Sequence, residues 1–587
     1  TLVGGGFTLN VTSEGDASGG TEHFAVNNDG IISGELNLNI TTPATTSCDF
    51  AGSTGKFHDV TINHASCQVN LESTTQFTGN LAITLGKIVC GGNTVEITGR
   101  TDIGPASGSA DQATLQCDAS AMFLGSGRTS SYGLIVNQGG TFVGGSGNHT
   151  IGSIETKNNS NAKCTLTSGV TTIDSENTSD NFALSIEAAS TFDDGNGTVT
   201  FTIGDSTRIR TNTKPLYNVI VNNANASIEY VGDQTIDNDL TVTAGKFRYN
   251  SFEDLTVTGD VSVTGILGHP NVGTTSDSTF GSLTINSGGE YKAPSGTTTI
   301  TSMTSTGSGD RSLNNKSGGT FTNNDGTVLF NSSSDQRMEL AGTGNVHNLT
   351  LSKSDNDLVT FGNLTVEGDL SITLATAHTM RPNNASETLT VTGDVTIVEG
   401  KLGDVTNYTG AISFGSLTIE SGGTYVATSG TTTITNKNSS NYMFFDAGTF
   451  THNNGTVHFK ADTSSGTWYA VKGHSTEDTT EFYNVTTERV GSSVGNYRVC
   501  VGGSNQFFTV RNNLTVAANC KIFSSNGSSI LRHSGLAIID GELDLDSFTD
   551  IEMGAVTINS GGTLEFDNGS ITIKAESLRN VGGTINA

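Results

Sequence analysis

Residues 280–301 read FGSLTINSGGEYKAPSGTTTIT, and residues 414–435 read FGSLTIESGGTYVATSGTTTIT. A second pair, LTVTGDVSV from Leu255 and LTVTGDVTI from Leu389, keeps the same offset of 134 residues. A chain that reuses a long block at fixed spacing is built by stacking similar units, not by closing one compact core. The expected object is an elongated rod.

Within the block, apolar residues alternate with small polar ones in short runs, which is the periodicity of strands. Runs such as GGTFTNNDGTVLF (318–330), AGTFTHNNGTVHF (447–459) and FDDGNGTVTF (192–201) place Gly, Asn and Asp between strands, where tight turns need residues that tolerate positive φ. Thr and Val fill the strands because β-branched side chains suit a pleated surface. Helix-forming stretches are absent, and 6 prolines with 14% charged residues fit poorly with a disordered linker. The reading is an all-β, elongated parallel β-solenoid (β-helix) of short strands. The alternative is a string of β-sandwich domains, which would show longer strands and a stronger aromatic core than 7% aromatics supplies. Asn-rich openings, DNDLTVTAGKF at Asp237, GNLTVEGDLSI at Gly362 and RNNLTVAANCKI at Arg511, divide the chain. Residues 1–236 form an N-terminal solenoid with a cysteine ladder, 237–361 a first block, and 362–510 a second with an aromatic-rich insertion near 460–498. Residues 511–587 form a truncated third block.

The net charge is −29, so neither nucleic acid nor an anionic membrane is an expected partner, since both are held by clustered Lys and Arg. No apolar run reaches the roughly 18–20 residues of a membrane helix. The chain begins at Thr1 without an initiator Met or signal peptide, which reads as a processed product or a fragment.

Cys48, Cys67, Cys90 and Cys117 are spaced by 19, 23 and 27 residues, and Cys500 and Cys520 by 20. Each interval matches one solenoid coil. Equivalent positions on adjacent coils lie about 4.8 Å apart, a separation that a disulfide accepts. Two readings stand side by side: bridges between coils with Cys164 left over, or a ladder of buried thiols packing as small hydrophobes.

Four groups of residues are weighed for chemistry. Glu542, Asp544 and Asp546 would share one strand face opposite Leu543 and Leu545, and could hold a divalent cation, Ca2+ by ligand type, although a solvated strand face has the same pattern. Trp468, Tyr469, Tyr483 and Tyr497 lie in or beside the insertion, where aromatics make platforms for sugars or protein partners; the same residues would also serve to fill a wider coil. Asp193 and Asp194 sit in a turn, where such side chains ordinarily bond their own backbone. His452 and His458 flank another turn. No HExxH, CxxC or P-loop pattern occurs, so no catalytic residues are assigned and no cofactor is expected. Sequons are numerous, Asn484 among them, and those at Asn348, Asn363 and Asn513 open strands, which turn chemistry explains without a glycan.

The runs FGSLTINSGGEY, LTVTGDVTI and GNLTVEGDLSI resemble repeats in large surface proteins of phages, notably marine ones, and in secreted bacterial or archaeal adhesins. The resemblance covers about residues 237–587. It implies a rod displayed outside a cell or on a virion and carries over no catalytic residue. The expected function is a non-enzymatic, extracellular or virion-associated fibre protein that pairs with itself as a filament or homotrimer. The alternatives are an adhesin or tail spike that binds a cell-surface glycan, and a polysaccharide lyase or hydrolase on the same scaffold.

Overall fold

The computed structural model describes residues 2–586 apart from residue 4 and segments 13–31, 43–44, 49–55, 106–111, 128–129, 250–251, 269–274, 305–309, 354–357, 404–407, 463–467, 474–479, 491–496, 502–505, 526–527 and 567–572. The described residues form strands and turns with no α-helix. Two compact units divide the chain, Thr1–Pro294 and Ser295–Ala587. Each is a parallel β-solenoid.

In the first unit a coil consists of three short strands on three faces. Thr101–Ile103, Ala113–Gln116 and Met122–Leu124 make one coil. Leu134–Val136, Gly140–Val143 and His149–Ile151 make the next, and each strand pairs in parallel with its counterpart. Leu81, Thr101, Leu134 and Ile154 therefore stand one above another. The second unit repeats the scheme: Val328, Leu349, Leu370, Val395 and Leu417 form one such column.

The alternation of small apolar and polar residues is what drives this. In a strand such as Leu389–Val391 the side chains of Leu389 and Val391 turn inward and are buried while Thr390 points out, and in Thr297–Ile300 the inward pair is Thr298 and Ile300. Stacking then aligns like with like. Leu134, Ile154 and Leu184 have no exposed surface. Each such burial contributes about 1.5–3 kcal/mol. Larger side chains fill wider parts of the interior. In the first unit Tyr230 and Tyr249 lie 5.7 Å apart, wholly enclosed, with Phe247 beside Tyr230.

The outward turns carry a second ladder. Asp59 takes its place on Asn37 by donating its N–H to the Asn37 Oδ1 at 3.1 Å. Asn80 does the same to Asp59, and Arg100 to Asn80. In the repeated blocks the series is Asn218, Asp239, Asp260, Ser282 and, in the other unit, Asn348, Asp369, Asp394, Ser416. This explains why Gly precedes the polar residue in GDV, GDL and GSL. A Cβ on Gly259 would lie 2.4 Å from the Asp239 Oδ1, and one on Gly368 2.3 Å from the Asn348 Oδ1. The side chain below occupies the place where a side chain above would start. Burial raises the carboxyl pKa of Asp260; the Ser282 hydroxyl opposes this and the charge of Asp239 adds to it. The sequons Asn348, Asn363 and Asn484 use their side-chain oxygens in ladders of this type.

Candidate functional site

The strand Glu542–Asp544 turns Leu543 into the core and Glu542 and Asp544 outward, as the alternation requires. Parallel pairing places Lys521 beneath Glu542, and Glu565 above Asp544. The third carboxylate of this group is therefore Glu565, one coil on, and not Asp546, which lies in the turn after the strand. The oxygens of Glu542, Asp544 and Glu565 come within 4.8 Å of one another. The Lys521 ammonium sits among them, 2.5 Å from Glu542 Oε1, 2.9 Å from Asp544 Oδ2 and 3.6 Å from Glu565 Oε2. Burial disfavours its charge, but the hydrogen bonds and charges of Glu542 and Asp544 outweigh this and raise its pKa. Contact with Glu542, then burial, raises the pKa of Glu565. The cluster is thus an internal ion-pair network between coils. A divalent cation would have to displace the lysine.

The aromatic residues of 442–523 separate into two populations. Phe482 packs edge-on or tilted against Phe444, Phe450, Phe459 and Phe508, with ring centroids 5.1–6.1 Å apart. All five are buried. This is core filling for a wide coil. At the surface, Lys472 lies over the Phe445 ring at 4.9 Å and the Tyr442 ring at 5.7 Å. Within 460–498, the described segments are strands in register with their neighbours: Phe459 pairs with Thr487, and Tyr469 with Val499. The four contact candidates are split. The backbone puts Trp468, Tyr469 and Tyr497 on adjacent strands, Trp468–Lys472 and Tyr497–Val501, whereas Tyr483 borders another sheet and stacks on His452 at 5.4 Å. The side chains of Trp468, Tyr469 and Tyr497 lie outside the described residues.

Of the cysteines, Cys90 and Cys117 are joined by a disulfide, their Cα atoms 5.0 Å apart on adjacent coils. Cys67, Cys164 and Cys520 are free, buried thiols. Spacing alone does not index the coils. Cys48 pairs with Leu71, Cys164 stacks between Phe142 and Phe192, and Cys520 faces Tyr497 while Cys500 faces Phe523. No pairing therefore sets Cys48 on Cys67 or Cys500 on Cys520; the side chains of Cys48 and Cys500 lie outside the described residues. Burial pushes Cys67 up to about 11 and Cys164 up to about 12, so neither forms thiolate readily.

Asp193 and Asp194 each accept a backbone N–H two residues on, from Gly195 and Asn196, and serve the turn. His452 accepts the Asn454 N–H in the same way, and His458 lies 3.1 Å from Glu488.

One polar group escaped sequence reasoning. Arg311 and Arg337 both approach Glu339, at 2.5 and 3.7 Å, and Glu387 lies close by across Gly362. These residues are 76 positions apart in the sequence. Only the coil lengths bring them to one face, and no local motif records those lengths.

No protein-family model, curated protein or solved structure matches this chain.

Proposed function

We propose that the protein is a non-enzymatic structural fibre protein of a cell surface or virion, a β-solenoid that assembles with copies of itself and presents its outer faces. The observation that carries this reading is where the turn side chains go. Asn, Asp and Ser on the turns hydrogen-bond to the next coil, in matching series at Asn218–Ser282 and Asn348–Ser416, and so serve the stacking itself. The Cys90–Cys117 bridge supports an oxidising, extracellular setting. A net charge of −29 keeps such surfaces soluble. The likeness of the repeats to phage and adhesin surface proteins points the same way.

Sedimentation velocity with negative-stain microscopy of the purified chain tests it. Filaments or trimers of the 60.7 kDa chain are expected. A strictly monomeric protein that releases reducing sugar from mixed polysaccharides, and loses that activity on Glu387→Gln, would establish the hydrolase or lyase reading instead.

A further inference from the structure

Most glycines in this fold have a structural reason: a left-handed backbone, or a neighbouring atom where a Cβ would stand. Gly362 has neither. Its φ lies outside the positive region, and the nearest atoms to a Cβ there would be Glu339 Cγ and Glu387 Oε1, both at 3.9 Å. Met338, Phe361 and Pro382 stack on successive coils, so the residues that follow them, Glu339, Gly362 and Asn383, form the next column. The missing side chain in the middle leaves a notch of about 240 Å³.

The walls of the notch are polar. Arg337, Glu339, Asn363, Asn383 and Glu387 line it. Glu339 is neutralised by Arg311 and Arg337. Glu387 accepts from the Asn384 N–H and carboxamide at 2.9 and 2.7 Å. The carboxamide oxygen of Asn363 accepts from the Thr388 N–H and hydroxyl, and neither its NH2 nor the Asn383 carboxamide has a partner among the described residues. With Arg311, the charges are two positive and two negative. An anion would need donors alone, and a metal ion acceptors alone. Adjacent donors and acceptors of zero net charge suit a group that both donates and accepts at neighbouring atoms, as a pair of vicinal hydroxyls does.

We propose that the notch at Gly362 binds one neutral sugar ring of a glycan. The Arg337–Glu339 pair and the carboxamides of Asn363 and Asn383 bond its vicinal hydroxyls. The site is small and open to solvent, so a single ring binds weakly, with a Kd on the order of 1 mM, and many copies on one assembly supply avidity.

Saturation-transfer NMR on the full chain tests this with the methyl glycosides of glucose, galactose, mannose and N-acetylglucosamine, and with galacturonate as the charged probe. Transfer to at least one neutral glycoside is expected. Gly362→Leu, whose Cβ would have no backbone atom within 4 Å and whose side chain would occupy the notch, should reduce it at least tenfold at an unchanged thermal midpoint. Asn383→Ala, at an exposed position, should weaken it several-fold and keeps the test decisive if the leucine disturbs the fold. Absence of transfer to every neutral glycoside, a preference for galacturonate, or full retention of binding in both variants would overturn the proposal.

Discussion

Asp394 donates its backbone N–H to Oδ1 of Asp369, one coil earlier, at 2.8 Å, and a Cβ on Gly393 would stand 2.2 Å from that same oxygen. The glycine and the carboxylate are therefore one device. Gly393→Ala should destabilise the second unit by about 2–4 kcal/mol, because either the hydrogen bond or the coil spacing must give way. Gly362→Ala, where nothing lies closer than 3.9 Å, should leave the stability within about 0.5 kcal/mol of wild type. Calorimetric unfolding of the two variants side by side checks the contrast.

Lys521→Met removes an ammonium from among Glu542, Asp544 and Glu565. A loss of about 2 kcal/mol at pH 7 is expected by denaturant titration. The gap should narrow at pH 4, where Glu565, whose pKa is raised, takes up a proton. The wild type carries its own signs. The folded Lys521 pKa is raised above 10.5, so its contribution is complete below that pH and lost as pH rises through the folded value. The folded Glu565 pKa is raised above 4.5, so this group weakens the fold at neutral pH and that deficit disappears as pH falls toward 4.5.

Phe482 touches four other phenylalanine rings in the interior. Phe482→Ala should cost about 3–5 kcal/mol, as a cavity among rings that cannot collapse onto it. Far-UV circular dichroism before melting should be unchanged, with a lowered thermal midpoint.

Cys90 and Cys117 should appear as one cross-linked peptide pair in non-reducing mass spectrometry, with Cys67, Cys164 and Cys520 alkylated only after unfolding. The double variant Cys90→Ser with Cys117→Ser should lose about 3.5 kcal/mol, the loop-closure contribution for a separation of 27 residues. Rapid alkylation of Cys164 in the native protein would contradict its burial and its raised pKa.

The parallel solenoid was legible because its cause is local: alternation along each strand and Asn or Gly at each turn are written in runs such as LTVTGDVSV. The stacking partners were less so. Leu81, Thr101, Leu134 and Ile154 share a column at unequal intervals, so a constant spacing cannot assign neighbours. That is why Cys48 meets Leu71, and why Glu565 and not Asp546 completes the acidic cluster. The aromatics near 442–523 were visible as a group, but composition could not separate the buried Phe482 rings from the surface pair Tyr442 and Phe445. The notch at Gly362 was invisible for a simpler reason: a glycine in the sequence does not say whether its space is filled by a neighbour or left empty.

The Cys90–Cys117 bridge also has a mechanical meaning. In a solenoid each lap is held only by the laps beside it, so tension on the backbone can unravel it one lap at a time. A covalent link across 27 residues withholds roughly 90 Å of slack from that process. It is a rip-stop, and a tear running along the first unit would halt there until the bond is reduced.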